Sequence, residues 1–106
     1  MKIKAITIFI TCPSKKEAHK IKDVLLASRI VACVSIIKSI DSFYWWKGRI
    51  ESSKEFLLIA KSTSRLFSQV IKTVKKYHSY EVPEIVAMPI TGGNPDYLKW
   101  IGASIK

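Results

Sequence analysis

His78-Ser79-Tyr80-Glu81-Val82-Pro83-Glu84-Ile85-Val86-Ala87-Met88-Pro89 is the stretch whose reading decides the fold. A helical pattern ends in it and an apolar strand begins. Pro83 removes a backbone donor and biases Val82 towards extended geometry, so the change falls inside this segment. The same stretch packs one imidazole, one phenol and two carboxylates into residues 78–84. Two readings apply. Either it is a helix-to-strand joint whose Glu81 and Glu84 solvate a turn, or it is a site.

Working outward, the 106 residues predict one domain spanning 1–106. That length can bury a core without staples. A hydrophobic content of 48% with four Gly and four Pro predicts a globular chain, not a disordered one. No apolar run approaches the ~20 residues of a membrane span, so a soluble, cytoplasmic protein without a membrane partner is expected. Cys12 and Cys33 do not make a disulfide framework and are expected as free thiols. The net charge of +10 is spread in runs of at most two lysines, with only three Arg. A solvated surface is therefore expected, and no nucleic-acid partner.

Upstream, residues 3–11 alternate, with Ile6, Ile8 and Ile10 on one face and Ala5, Thr7 and Phe9 on the other. This predicts a strand covered on both sides. Ser14 and Glu17 form a capping-box pattern at the head of a helix running to about Ser28. Its buried face holds Ala18, Ile21, Val24, Leu25 and Ser28. A β-branched run from Ile30 to Ile40 begins a long strand that continues through Ser42-Phe43-Tyr44-Trp45-Trp46. Lys47-Gly48-Arg49 is the hairpin turn, and the return strand holds Glu55 to Lys61. Tyr44 and Trp46 face one way, Phe43 and Trp45 the other. One small core cannot cover four large aromatics, which points to an oligomer. Thr63 or Ser64 caps a second helix to about Tyr77, with Phe67, Val70, Ile71 and Val74 as its apolar stripe. Downstream come a strand from Ile85 to Ile90, a loop at Thr91–Pro95 and a short helix from Asp96 to about Ile101. The fold class is thus α+β: a ferredoxin-like βαββαβ antiparallel sheet with two helices on one face, plus a short C-terminal helix.

In this order the residues resemble the CutA family of divalent-cation tolerance proteins. The matching pieces are Thr11-Cys12-Pro13, Ala32-Cys33-Val34, Ser42-x-Tyr44-x-Trp46-x-Gly48, Glu55, Lys61-Ser62-Thr63, His78-x-Tyr80-Glu81-Val82-Pro83-Glu84-Ile85 and Tyr97-x-x-Trp100-Ile101. They span almost the whole chain. Ser79 and Ser35 stand where the family commonly has Pro and Asn. The resemblance implies a homotrimer whose strands pair across subunits and a role around copper (Cu2+) and other divalent cations. It also implies kinship in shape with PII-type signalling trimers, which bind small molecules in clefts between subunits.

The predicted topology brings Cys12 and His78 to one end of the sheet, and Cys33 and Lys61 to the other. A thiolate with an imidazole suits copper or zinc, and Glu81, water or a neighbouring subunit would complete the shell. The structural alternative makes Cys12 a packing residue at a strand end and His78 a helix C-cap. Which of Cys12 and Cys33 is the relevant thiol stays open. A second constellation is an inter-subunit cleft with Tyr44, Trp46, Tyr80 and Trp100 as walls and Lys61 and Glu55 as charges. A small molecule or protein partner would bind there; alternatively these aromatics are the glue of the trimer. No organic cofactor is implied. Enzyme readings fail. His19 and His78 are the only imidazoles, nothing supplies an oxyanion site, and the glycine-rich anion loop of an acylphosphatase is missing. Fold alone licenses no activity. RNA binding on such a sheet needs exposed aromatics in a Lys/Arg-Gly-Phe/Tyr frame, and the first and third strands carry none.

Overall fold

A computed structural model describes residues 4–106; Ile3, the expected first strand residue, lies outside them. The elements are β1 (Ala5–Cys12), α1 (Lys15–Ala27), β2 (Cys33–Trp46), β3 (Arg49–Thr63), a 3-10 turn (Ser64–Leu66), α2 (Phe67–Tyr77), β4 (Ile85–Pro89) and α3 (Pro95–Ser104). They form an α+β fold around one four-stranded sheet of order β2-β3-β1-β4, antiparallel at every pairing. Ile6, Ile8, Ile10 and Cys12 of β1 join Leu58 and Ala60 of β3 on one face. Ala18, Ile21 and Leu25 of α1, with Val70 and Val74 of α2, close over that face as the core. The two periodicities, two in the strands and 3.6 in the helices, interlock there. Helix α3 packs against β1 and β3 and buries Ile101.

Several boundaries move for physical reasons. β2 begins at Cys33, not Ile30. Ile30 and Val31 are only 2% exposed and plug the core, after Arg29 turns the chain at φ 57°. Ser62 Oγ donates to Ile30 O at 2.6 Å and holds that plug in place. β3 is longer than expected at both ends, because its head pairs with β2 in a hairpin and its tail pairs with β1, Ser62 against Ile6 and Thr63 against Ala5. In α1, Val24 is half-buried and Ser28 is exposed, since the helix stops at Ala27. Neither Thr63 nor Ser64 caps α2 directly. The 3-10 turn intervenes, and the buried Thr63 Oγ1 has no partner among the described residues. α3 starts at Pro95, capped by the Asn94 side chain, which accepts from Asp96 N–H at 3.0 Å.

The hairpin turns on Lys47 and Gly48, with φ 50° and 78°, and Arg49 already pairs with Trp46. Two residues with positive φ match the twist of the flanking strands. Farther up the hairpin, the register slips between Ile37 and Ile40, where Ser39 has φ 61°. Before this bulge Cys33 faces Lys61; after it Ile40 faces Glu55. One extra residue in β2 therefore swaps its faces. Tyr44 and Trp46 end on the same side as Glu55, where an unbroken register would put them on the other.

Candidate functional site

β1 and α2 end side by side, as the topology requires. Cys12 is fully buried at the end of β1, and His78 is the C-cap of α2 with its side chain fully buried. Sγ of Cys12, a Glu17 carboxylate oxygen and a His78 ring nitrogen all lie within 4.8 Å of one another. Glu17 is the member the sequence reading missed. Its backbone N–H takes the Ser14 cap at 3.2 Å. Its side chain does not close the box. Instead Oε2 accepts from Ser79 N–H at 3.2 Å and stands 3.3 Å from His78 Nδ1. The available signal was position: three residues into α1, Glu17 lies beside the end of β1.

Backbone groups set the state of the imidazole. Nε2 lies 2.7 Å from Thr11 O, a carbonyl that can only accept, so Nε2 carries the proton. Nδ1 accepts from Tyr80 N–H at 3.1 Å. Both ring nitrogens are used, and the contact with Glu17 is proximity to a neutral ring rather than an ion pair. Burial pushes the Cys12 thiol up to about 12, with the Glu17 and Glu55 charges adding to it. Cys12 is therefore a thiol at neutral pH. The donor types and spacing fit a borderline metal such as copper or zinc, but loading would displace the Cys12 proton and exchange a His78 hydrogen bond. Cys33 is at the far end, with Sγ 3.7 Å from the Tyr97 hydroxyl, so Cys12 is the thiol that His78 can meet.

Beside this cluster opens a cleft of about 710 Å³, lined among others by Thr11, Tyr44, Trp46, Glu55, Ser79, Tyr80, Glu81 and Glu84. Tyr80 OH donates to Glu55 Oε2 at 2.7 Å, and Glu55 is only 4% exposed. Burial, then the Glu55 carboxylate beside it, raises the Tyr80 phenol above its ordinary range. Tyr44 OH and Ser53 Oγ are 3.2 Å apart on the same wall. Of the expected cleft residues, Tyr44, Trp46, Glu55 and Tyr80 meet here. Lys61 and Trp100 do not line it. Lys61 is six positions from Glu55 along β3, roughly 20 Å at strand rise. It pairs with Cys33, while Trp100 stacks near Tyr97 with ring centroids 5.5 Å apart. Glu81 lines the cleft, and the carboxylate nearest the Cys12–His78 pair is that of Glu17.

The fold and site are those of a small α+β chain with a buried thiol and imidazole and a half-buried carboxylate at one sheet end, beside an aromatic cleft. The CutA1 divalent ion tolerance protein family matches residues 6–104, and the chain belongs to that family. A divalent-cation tolerance protein CutA of Archaeoglobus fulgidus is 43% identical over 93% of this chain and 96% of its own length. A chloroplastic protein CutA 1 of Oryza sativa subsp. japonica is 36% identical over 98% of this chain and 59% of its own. The solved divalent cation tolerance protein Cut A1 of Thermus thermophilus superposes with a TM-score of 0.94 at 38% identity, covering 96% of this chain and 99% of that one. The chain spans little more than half the length of the rice, mouse and Arabidopsis relatives it matches. No described helix is long and apolar enough to cross a membrane.

Proposed function

We propose that this chain is the subunit of a homotrimeric, ferredoxin-like divalent-ion tolerance protein that binds copper or another divalent cation weakly. It acts by binding, not by catalysis. Cys12 and His78 are its ligands, with Glu17 as the near third group and Glu81 on the adjoining segment. One observation carries this reading: thiol, carboxylate and imidazole lie within 4.8 Å at a buried sheet end. The protonated thiol and the fully bonded ring keep the affinity low, because each ligand must be freed before it binds. The names of the relatives supply the link to divalent cations, and two free thiols suit a reducing compartment such as the cytoplasm.

The test is a Cu2+ titration of the reduced protein against a chelator of known affinity, with Glu17→Gln, Cys12→Ser and His78→Ala alongside. His78 also holds two backbone groups, so its variant is read only together with Glu17→Gln, which keeps the side-chain shape. The expected result is binding weakened about tenfold or more in each. Binding indifferent to all three would refute the site.

A second reading, a PII-like sensor or scaffold with a small molecule in its cleft, is favoured by the 710 Å³ cavity. That volume falls in the ordinary range for small-molecule sites. A metabolite thermal-shift screen with no hit would end it.

A further inference from the structure

Eight acidic side chains serve the whole chain, against eighteen Lys and Arg. Three of the eight, Glu55, Glu81 and Glu84, nevertheless line the same cleft, and among the described residues no Lys or Arg lines it. The local sign is therefore opposite to that of the molecule. Glu55 is 4% exposed, yet among the described residues it has no cationic partner. Its Oε2 takes the Tyr80 hydroxyl, and no described donor reaches Oε1. Thr63 Oγ1 is the one fully buried side-chain polar atom without a partner among the described residues, so Glu55 Oε1 is open to solvent, where a cation entering the cleft can meet it.

The walls narrow the class of cation. Tyr44, Trp46 and Tyr80 line it, and aromatic rings attract ammonium groups to the negative quadrupole of their faces. A hydrated divalent metal wants six or more oxygens and gains little from such walls. The Trp46 ring already draws an ammonium from its own chain: Lys47 Nζ, at the hairpin turn, stands 5.8 Å from the ring centroid. An anionic ligand would meet three carboxylates and would desolvate Glu55 without compensation.

We propose that the cleft binds a small organic cation, an aliphatic amine or quaternary ammonium, with its charged head against Glu55 between the rings of Tyr44, Trp46 and Tyr80. Glu81 and Glu84, both exposed, take a second charge where the ligand has one. This rests on the second reading above, that the cleft holds a small molecule, and gives that molecule a sign and a class.

Calorimetric titration of the full chain with tetramethylammonium, spermidine, ATP and Mg2+ tests it. Both organic cations are expected to bind, and Glu55→Gln, which keeps an acceptor for Tyr80, weakens them at least about tenfold. Should Glu55→Gln not fold, Trp46→Leu and Glu81→Gln, at exposed positions, carry the same test. Trp46→Leu should weaken both cations, and Glu81→Gln should weaken spermidine more than tetramethylammonium. Binding of ATP without the cations would overturn the sign but leave the cleft a small-molecule site. No binding of any probe would remove both ideas. Cation binding that no variant changes would be unspecific attraction and would overturn the proposal, as would Mg2+ binding with the same Glu55 dependence.

Discussion

Cys12 and Tyr80 hold protons in the folded chain that the unfolded chain releases at lower pH. The Cys12 thiol moves from 9.0 to about 12, and the Tyr80 phenol rises from 10.0. The native state then binds more protons than the unfolded state above pH 9, so stability falls as pH rises. The Cys12 contribution is complete below pH 9 and is lost between 9 and about 12. Urea midpoints at pH 8, 9.5 and 10.5 should fall, and Cys12→Ala should fall less steeply than the parent. The difference in slope can be no more than ~1.4 kcal/mol per pH unit for one group. Equal slopes would mean that the thiol ionises freely in the folded chain. At this scale much of the site was readable. Topology alone puts Cys12 beside His78, since a first strand and a second helix end together in this arrangement. Glu17 was hidden because a capping box explains it fully within the helix; only the neighbouring 78–79 backbone competes for its side chain.

The hairpin element turns on Lys47 and Gly48, both in the left-handed region. Gly48 has nothing within 4 Å of an added Cβ, so a substitution there meets backbone strain alone. Gly48→Ala should lose about 1 kcal/mol per chain, as single left-handed residues cost. Lys47→Asn should gain about 0.5 kcal/mol, because Asn-Gly is the favoured pair for this turn. Thermal unfolding of the two variants should move in opposite directions; a shift of the same sign would mean that the turn is held by something other than its own backbone. The turn was legible from Gly48 between two strand-like runs. The bulge was not. Lys38-Ser39 interrupts an apolar run, but a polar pair in a strand fits a wet face equally well. Only the pairing of Ile40 with Glu55 reveals that one residue is extra, and that extra residue brings Tyr44 and Trp46 to the cleft.

At the scale of the whole molecule, the described residues leave two apolar surfaces open. One is the sheet face away from α1 and α2, where Ile37, Val86 and Met88 are 47%, 45% and 42% exposed. The other is the outer side of the hairpin, where Phe43, Trp45 and Ile50 are 74%, 72% and 66% exposed. Opposed pairs in the register put Trp45 beside Ile50, so these side chains form a contiguous patch. A lone monomer rarely leaves such surfaces open, and closed symmetry is the usual way to cover them. The surplus of aromatics was the sequence's own sign of this, independent of any family likeness. The proposed trimer should sediment at three times the 12.0 kDa chain mass. Val86→Glu puts a charge on the open sheet face at a position that a monomer core does not use, since Val86 is already 45% exposed. That variant should shift to monomer with its far-UV circular dichroism kept, because the α1–α2 core lies on the other side of the sheet. A charge buried without a partner costs several kcal/mol per ion, more than one interface position can repay. If Val86→Glu keeps the parent mass, the sheet face is not the contact surface. Trp45→Glu then tests the hairpin patch by the same sedimentation measurement.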